Sequence, residues 1–321
     1  MPWFLGIDAG GTHTRALVVH GESGQVGHGS AGPGNLRAQP LEQTLRSLEL
    51  AMASALGAAG LHARELGGAC LGLAGLRTEA DAERLRAGLA PFGLGGALVL
   101  TNDLAIAHRG SLEGEAGVHL IAGTGAAAYG RNAAGEEARA GGWGWRIDDG
   151  GSAYWLGIRA LEQAVRQADG RAPRGGLLTA LLDLWEVREP DALLPLVYDA
   201  DPLRARERIA GLAKLVCALA EVGDEPSGQI LDAGAEELAR MAQSVARRLG
   251  LDAWKCPVAI TGGVGEAPAY APRLALALRR FLPVAALRSA AYRPLAGAVL
   301  TAVDAAGEPV TPGLLKALHT V

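Results

Sequence analysis

Three glycine-rich segments each follow an apolar run, and their residue types suit the binding of phosphate. They read DAGGT at residues 8–12, AGTG at 122–125 and TGGVGE at 261–266. Glycine leaves backbone N–H groups bare, and N–H groups and hydroxyls bind anions well. A hairpin turn would explain one glycine pair, but three such segments predict a nucleotide gripped by two facing turns, with a third near adenosine. The predicted nucleotide contacts are Asp8, Gly10, Gly11, Thr12, Gly123, Thr124, Gly125, Gly262 and Gly263.

Two polar residues stand just beyond predicted strands. Asp103, in LTNDLAIA, follows a buried strand and precedes a helix. An aspartate there can cap the helix, or it can accept a proton from an attacking hydroxyl group. Asn35 lies in the loop GSAGPGNLRA, where it is either an ordinary turn residue or a ligand for a hydroxyl-rich substrate. The residues alone leave both alternatives open.

The segment GGWGWRIDDGGSAYW places glycine, tryptophan and carboxylate within a few residues of one another. Such a loop suits a pyranose, whose hydroxyl rim needs charged acceptors and whose apolar face packs on an aromatic or peptide plane. Alternatively, Trp143 is a core residue, and Asp148, Asp149 and Ser152 cap the helix that follows. Trp145 and Trp155 are predicted to be packing residues.

Composition limits the class of protein. The 321 residues are 49% hydrophobic and 20% charged, which is typical of a folded protein with room for two domains. A formal net charge of −4 argues against nucleic acid or an anionic membrane as partner. The three cysteines are isolated, which predicts a reducing cytoplasm and no disulfide framework or zinc site. No apolar run reaches membrane-spanning length, and no export signal precedes the first strand.

The elements that must position these residues form a repeated pattern. Residues 1–116 read as βββαβαβ, and at Gly117 the three-strand unit starts again with a second Gly/Thr turn. We therefore predict an α/β protein with two lobes, 1–116 and 117–321, each built on a βββαβα unit with a cleft between them. The second lobe would carry a helical insertion, and the last helix, LLKALHTV, is a candidate to pack back on the first lobe.

These motifs resemble those of the sugar-kinase, heat-shock-protein and actin superfamily. GIDAGGTHT, TNDLAIA, IAGTG, GGWGWRIDDGGSAYWLG and ITGGVGE occur in the superfamily's order over nearly the whole chain. The string GGWG followed by DGGSAYWLG resembles the branch that contains N-acetylglucosamine kinases and BadF/BadG-type ATPases. The resemblance implies a two-lobed RNase-H-like fold of the actin-like ATPase type, with ATP and magnesium as cofactors. Neither a P-loop nor a Rossmann fingerprint is present.

The resemblance also implies a role for each matching residue. Asp103 stands at the position of the general base, which also contacts the sugar, and Asp8 would hold Mg²⁺ through water. In the family's sugar site the residue after Asn35 also contributes, and here it is Leu36, which offers only its backbone. The other implied sugar contacts are Gly142, Trp143, Gly144 and Asp149.

The implied enzyme is a cytoplasmic, homodimeric hexosamine kinase that phosphorylates the 6-hydroxyl of N-acetylglucosamine, its one small-molecule partner being the sugar. Glucosamine and mannosamine- or muramic-type sugars are the alternatives. Ala126–Ala128 follow the second turn where relatives often carry serine or asparagine, and this departure leaves the preferred amino sugar open.

Three rival classes differ from this expectation in testable ways. Kinases of the repressor/open-reading-frame/kinase group carry a cysteine-rich zinc motif, which is missing here. Dehydratase-activating ATPases hold an iron–sulfur cluster through cysteines, and the scattered cysteines argue against that class. An actin-like scaffold would hydrolyse ATP without needing a sugar.

Overall fold

In the computed structural model, residues 1–173, 175–253 and 255–320 are described. They form two compact units. Unit 1 consists of Met1–Glu115 together with the chain from Ser289 onward, and unit 2 consists of Ala116–Arg288. The first boundary lies one residue from the expected one. The second differs from the expectation, because more of the C-terminal segment than the last helix belongs to unit 1.

Unit 1 begins with the predicted βββαβαβ pattern. Its five strands form one mixed sheet in the order β3-β2-β1-β4-β5, with β1, β4 and β5 parallel. The elements of residues 1–115 are β1 (Trp3–Ala9), β2 (Thr14–His20), β3 (Val26–Ala31), α1 (Leu41–Ala59), β4 (Leu66–Leu73), α2 (Glu79–Leu89), β5 (Ala97–Asn102) and α3 (Asp103–Leu112).

Unit 2 repeats this sheet. Its order is β8-β7-β6-β9-β10, so the antiparallel pair β6–β7 and the parallel pair β6–β9 correspond to β1–β2 and β1–β4. The predicted duplicated α/β fold is confirmed at this level. The elements are β6 (Gly117–Ala122), β7 (Ala126–Arg131), β8 (Glu137–Gly141), α4 (Ala153–Ala168), α5 (Gly176–Leu184), α6 (Leu194–Val197), α7 (Pro202–Glu221), α8 (Glu225–Arg248), β9 (Cys256–Thr261), α9 (Ala271–Phe281) and β10 (Ala285–Ser289).

The segment after β10 returns to unit 1 as α10 (Pro294–Ala305) and α11 (Pro312–Leu318). Residues 294–305 fall within the expected second lobe, 117–321, and that part of the expectation was therefore wrong. The helix α10 packs on β1 and on α3. At the contact with α3, a Cβ at Gly297 would overlap the carbonyl oxygen of Ile106. Glycine therefore allows the two helices to touch, and α10 covers the face of the sheet opposite α1.

The packing of the central strand β1 explains why its residues 3–7 are all apolar. Leu5 and Ile7 face the core beneath α1 and α2, whereas Phe4 faces the core beneath α10. A parallel strand covered on both faces needs apolar residues at consecutive positions. Among the described residues, no helix is both long and apolar enough to cross a membrane.

Candidate active site

Two carboxylates lie at one edge of the unit 1 sheet. Asp8 on β1 pairs in register with Gly72 on β4, which pairs with Thr101 on β5, and Asp103 follows the end of β5. Burial and the negative charge of Asp103, against the opposing effect of Arg15, together raise the pKa of Asp8 to about 6. The two carboxylates therefore interact electrostatically. A cation near them would offset both the cost of burying the Asp8 charge and the repulsion between the two carboxylates.

At the start of α3, the adjacent polar residues Asn102 and Asp103 have different roles. Asn102 is the N-cap, and its Oδ1 accepts a hydrogen bond of 2.9 Å from the backbone N–H of Ala105. Asp103 occupies the first helical position, so the helix-cap interpretation of this residue was wrong. A carboxylate in the first turn is also stabilised by the helix dipole. The Asp103 side chain is therefore not needed as the cap. A role in proton transfer explains an aspartate at this position better than helix capping does.

The loop after β3 lies against the same sheet edge. The backbone N–H of Gly34 donates to Gly10 O at 2.9 Å, and that of Leu36 donates to Ala74 O at 3.0 Å. These bonds place Asn35 between the ends of β1 and β4. Its Oδ1 accepts from the backbone N–H two residues on, at 2.8 Å. The Leu36 side chain packs on the core of unit 1 and its N–H is bonded to Ala74 O, so its carbonyl oxygen is the group left for a ligand.

The reason that glycine is needed differs among the positions of the three turns. Neither Gly10 nor Gly11 has a left-handed backbone, so the hairpin explanation based on positive φ does not hold. A Cβ built on Gly11, Gly123 or Gly263 has no described atom within 4 Å. Neither backbone conformation nor crowding by described residues requires glycine at these three positions. A close approach by a ligand would require it.

The β6–β7 turn, residues 123–125, is held from two sides within unit 2. The first two N–H groups of α4 donate to Gly123 O at 2.8 Å and to Thr124 O at 3.4 Å. On the other side, Ala122 O accepts from the N–H groups of residues 264 and 265, both at 3.1 Å. Gly262 has φ +104° and lies where a Cβ would come within 2.5 Å of Ala122 O. The predicted second and third glycine-rich segments are therefore in contact.

A cavity of about 600 Å³ opens beside these two turns. Gly123, Thr124 and Gly263 line it on one side, and α7 lines it on the other. Its volume lies in the range of small-molecule and cofactor sites. Sequence reasoning missed the α7 contribution, which comprises Glu207, Ala210, Gly211, Ala213, Lys214, Cys217, Ala218 and Glu221.

The spacing of the charged residues of α7 is visible in the sequence and could have indicated this side of the cavity. Glu207, Lys214 and Glu221 recur every seven residues, so they lie along one side of the helix. Small residues such as Gly211 and Ala218 lie between them, which leaves room for a ligand. A charged heptad of this kind is ordinarily a solvated face, and only the packing of α7 shows that it borders a cavity.

The loop after β8 turns through glycines with left-handed backbones. Gly142 and Gly144 have φ values of +66° and +95°, and Gly142 N donates to Ala126 O at 2.9 Å. Trp143 between them is 56% exposed, with the Arg139 guanidinium 5.5 Å from its ring centroid. The interpretation of Trp143 as a core residue was therefore wrong. An exposed tryptophan on a fixed loop presents an aromatic surface that a sugar can cover.

Asp149 is buried beside the β6–β7 turn. It is 6% exposed, and its Oδ1 accepts from Ala126 N at 3.4 Å. Burial raises the pKa of its carboxyl group, partly offset by the Ala126 N–H and by the charge of Arg206. Ser152 caps α4 instead, since its Oγ accepts from Trp155 N at 3.1 Å. The carboxylate of Asp149 thus accepts one long hydrogen bond, from Ala126 N, and has capacity for more.

The described residues contain no set of side chains typical of an iron–sulfur or zinc site. None of them forms a group of three or more His, Cys, Asp or Glu side chains that could hold a metal ion. All three cysteines are free thiols, and Cys70 and Cys256 are buried. Burial raises the pKa of both thiols, which disfavours the thiolate form that a cluster needs.

Comparison with known proteins decides the family. The profile of the BadF/BadG/BcrA/BcrD ATPase family matches residues 5–302. The chain belongs to this ATPase family. It is 30% identical over 264 residues to an N-acetylmuramic acid/N-acetylglucosamine kinase of Clostridium acetobutylicum, covering 82% of this chain and 86% of that one. It is 28% identical to an N-acetyl-D-glucosamine kinase of Dictyostelium discoideum over 81% and 84% of the two chains.

A solved structure agrees with these relatives. The crystal structure of a candidate N-acetylglucosamine kinase from Chromobacterium violaceum is 27% identical, with a TM-score of 0.74 over 94% of this chain and 98% of that one. The predicted class of this BadF-family protein, an ATP-dependent amino-sugar kinase, is confirmed by these relatives.

Within each unit of this BadF-family protein, the predicted residues do gather. Unit 1 brings seven of them to the edge of its sheet where β1 and β5 end: Asp8, Gly10, Gly11, Thr12, Asn35, Leu36 and Asp103. Unit 2 brings the others around the β6–β7 turn: Gly123, Thr124, Gly125, Gly142, Trp143, Gly144, Asp149, Gly262 and Gly263.

Proposed function

We propose that this protein transfers the γ-phosphoryl group of ATP to the 6-hydroxyl of N-acetylglucosamine. The observation that carries the proposal is Asp103, a carboxylate at the head of α3 that the fold does not use as a cap and that interacts with Asp8. An acceptor hydroxyl needs such a base within hydrogen-bond reach. A homodimer and a cytoplasmic location stay predictions from the sequence.

Unit 1 would supply the chemistry. Asp103 accepts the proton of the 6-hydroxyl as that oxygen attacks the γ-phosphorus. Asn35 donates from its side-chain amide to a sugar hydroxyl, because its Oδ1 is already bonded to the loop backbone. Leu36 contributes only backbone groups. The N–H groups of the turn at Gly11 and Thr12 face the phosphates, with the Thr12 hydroxyl as a further donor.

Magnesium fits this end of the sheet. Asp8 and Asp103 are hard oxygen donors whose mutual repulsion a divalent cation would relieve, and Mg²⁺ keeps most of its water and phosphate ligands. When bound, the ion neutralises charge on the phosphates of the nucleotide. Asp8 would hold one of its waters. A proton on Asp8 competes with this interaction, so magnesium binding should weaken as pH falls through the pKa of Asp8, which is about 6 in the ligand-free protein.

Unit 2 would supply the binding surfaces. The β6–β7 turn and Gly263 border the 600 Å³ cavity, which we assign to the nucleotide with α7 against its adenosine. Asp149 accepts hydrogen bonds from sugar hydroxyls, which gives its buried charge the partners it needs. Trp143 covers one face of the sugar ring, with Gly142 and Gly144 shaping the loop around it.

The experiment is a coupled ADP-release assay over a panel of sugars, with the product identified by phosphorus and carbon NMR. We expect ADP release to require a sugar, with N-acetylglucosamine giving the highest kcat/KM and the phosphate appearing on the 6-oxygen. Glucosamine, N-acetylmannosamine and N-acetylmuramic acid are the comparison substrates. Release of ADP at the same rate without any sugar would overturn the proposal.

A further inference from the structure

Helices α4 and α7 of unit 2 run side by side in the same direction. They pack on each other, and a Cβ at Gly157 of α4 would overlap the carbonyl oxygen of Ile209 on α7. Farther along, Gln167 near the end of α4 and Asp224 just after α7 both lie within 4 Å of the position that a Cβ at Gly175 would take. The N-terminal ends of the two helices therefore lie together as well.

Arg206 of α7 is placed to reach the segment that precedes α4. It lies one turn before Ile209, on the side of α7 that faces α4. Tyr154 lies one turn before Gly157, so the two residues are level with each other. Helical side chains lean toward the N-terminus of their helix, which carries the guanidinium of Arg206 toward Asp149, just ahead of α4. The electrostatics agree, because the charge of Arg206 acts on both Asp149 and Tyr154.

The Nε atom of Arg206 is buried and has no hydrogen-bond partner among the described residues. Buried donors in native proteins are normally bonded, so this one calls for an explanation. Arg208, two residues on, does use its guanidinium in the fold, since its Nη1 donates to Leu196 O at 2.7 Å. Arg206 thus offers a ligand a donor that the fold has not used.

Asp149 needs a positive charge nearby, because it is buried and burial raises its pKa. The ionisable side chains on the segments around it are Arg146 and Asp148 of its own loop, Tyr154 and Arg159 of α4, Arg206 and Glu207 of α7, and Glu237 of α8. The charge of Arg206 lowers the pKa of Asp149, whereas that of Asp148 raises it. Arg159 lines a cavity together with Asp149 but pairs with Glu162 Oε2 at 2.6 Å. Arg206 therefore favours the ionised form of this buried carboxyl group.

We propose that Arg206 belongs to the sugar site, where its charge keeps the Asp149 carboxylate ionised and its Nε donates to a sugar hydroxyl. A hydroxyl group both donates and accepts, so a sugar can bond to the carboxylate and to the guanidinium at once. The inference rests on the proposed function, because that function assigns Asp149 to the sugar.

The test compares Arg206→Met and Arg206→Lys with the wild type. Methionine removes the charge, whereas lysine keeps it and loses the Nε donor. The kcat/KM for N-acetylglucosamine is measured at saturating ATP between about pH 5 and about pH 8. Asp149 must be ionised to accept a hydrogen bond, so kcat/KM should fall as pH falls through its pKa.

Arg206→Met should move this fall in kcat/KM to higher pH by about one unit, since an opposite charge nearby shifts a carboxyl group by at least that much. At the acid end, kcat/KM should then be about tenfold below that of the wild type. Arg206→Lys should keep the wild-type pH profile with a higher KM for the sugar at every pH. Carbon NMR of the Asp149 carboxyl group in the ligand-free protein, assigned with Asp149→Asn, measures the same shift without any reaction.

Arg204→Met is the matched control. It removes a positive charge from the same helix, but the Arg204 side chain is 64% exposed and lies 3.8 Å from Asp199. This variant should keep both the pH profile and the KM for the sugar.

The outcomes separate the two proposals. If the wild type phosphorylates no sugar, the proposed function fails and the assignment of Arg206 fails with it. If N-acetylglucosamine is a substrate but Arg206→Met keeps the wild-type profile, or lowers kcat/KM equally at every pH, only the assignment of Arg206 is overturned. A KM that rises for ATP and not for the sugar would place Arg206 at the phosphates and overturn it as well.

Discussion

The two hairpins that open the repeated sheets have the same place in each unit but different neighbours. The penultimate residue of β1 is Asp8, opposite Arg15 on β2. The corresponding residue of β6 is Ile121, opposite Ala127 on β7. Unit 1 therefore carries paired charges where unit 2 carries aliphatic side chains.

The surroundings of the turns follow this difference. In unit 1, burial and the neighbouring carboxylate of Asp103 raise the pKa of Asp8. In unit 2, the turn is fixed by α4 and by residues 264 and 265, and it borders the 600 Å³ cavity. One copy of the repeat thus concentrates charge and the other leaves space. We take this as a division of labour, with proton and metal chemistry in unit 1 and most ligand recognition in unit 2.

A large effect is expected from removing the charge that unit 2 lacks at this position. Asp8→Asn should lower kcat by about 10- to 100-fold, the usual loss when an outer contact to a metal is removed. It should also stabilise the ligand-free protein at pH 7 by at most ~3 kcal/mol, because a pKa raised from 3.8 to about 6 means that burial opposes the charge. Chemical denaturation and steady-state kinetics measure the two effects.

The sign of the pH dependence sharpens this prediction. The folded-state pKa of Asp8 lies above its unfolded value, so the folded protein binds the extra proton between about pH 4 and pH 6. The contribution of Asp8 to stability therefore improves as pH falls through that window, and Asp8→Asn should abolish this component. A variant less stable than the wild type at pH 7 would show that the carboxylate holds the fold together.

The next effect tests whether both turns serve phosphate. Gly11→Ala and Gly123→Ala each place a methyl group where no described atom lies within 4 Å, so the fold should tolerate them. We expect the KM for ATP to rise by about tenfold, equivalent to ~1.4 kcal/mol, with little change for the sugar. Gly57→Ala, an equally open position inside α1, is the matched control. Equal weakening of sugar and ATP would refute the assignment.

The smallest effect concerns the α7 side of the unit 2 cavity. Lys214 is one of three lysines in the chain, and it lines the cavity between Glu207 and Glu221. Lys214→Ala should raise the KM for ATP by roughly threefold, as expected for a partly exposed charge. Lys316→Ala on α11 is the control. A sugar-specific effect would instead assign the cavity to the sugar.

The features that could be predicted from the sequence are those that depend on the local pattern of glycine and apolar residues. Glycine clusters after apolar runs located all three turns, and the restart at Gly117 gave the repeated sheet. The return of α10 to unit 1 was missed because a helix buried on most sides shows that it packs in a core, not in which one. Asn102 and Asp103 are both good capping residues, so only the structure could assign the cap.

The α7 side of the cavity that we assign to the nucleotide was missed for a related reason. The charged stripe of α7 is indistinguishable in sequence from a solvated helix face, and its position depends on packing against segments far away in the chain. Asp149 was found through family resemblance, but its burial against the β6–β7 turn could not be derived from spacing. Long-range packing, rather than local propensity, is what the sequence left undetermined.

The most direct test of the division of labour is a rapid-quench measurement of single-turnover rates for Asp103→Asn and Asp149→Asn. At saturating ATP and N-acetylglucosamine, Asp103→Asn should slow phosphoryl transfer by on the order of 10²- to 10⁴-fold, the range for a general base. Asp149→Asn should come within about tenfold of the wild-type rate once the sugar saturates, because it weakens binding rather than chemistry. A folded Asp103→Asn enzyme with a near-normal rate, or an Asp149→Asn enzyme equally slow at saturation, would contradict the account.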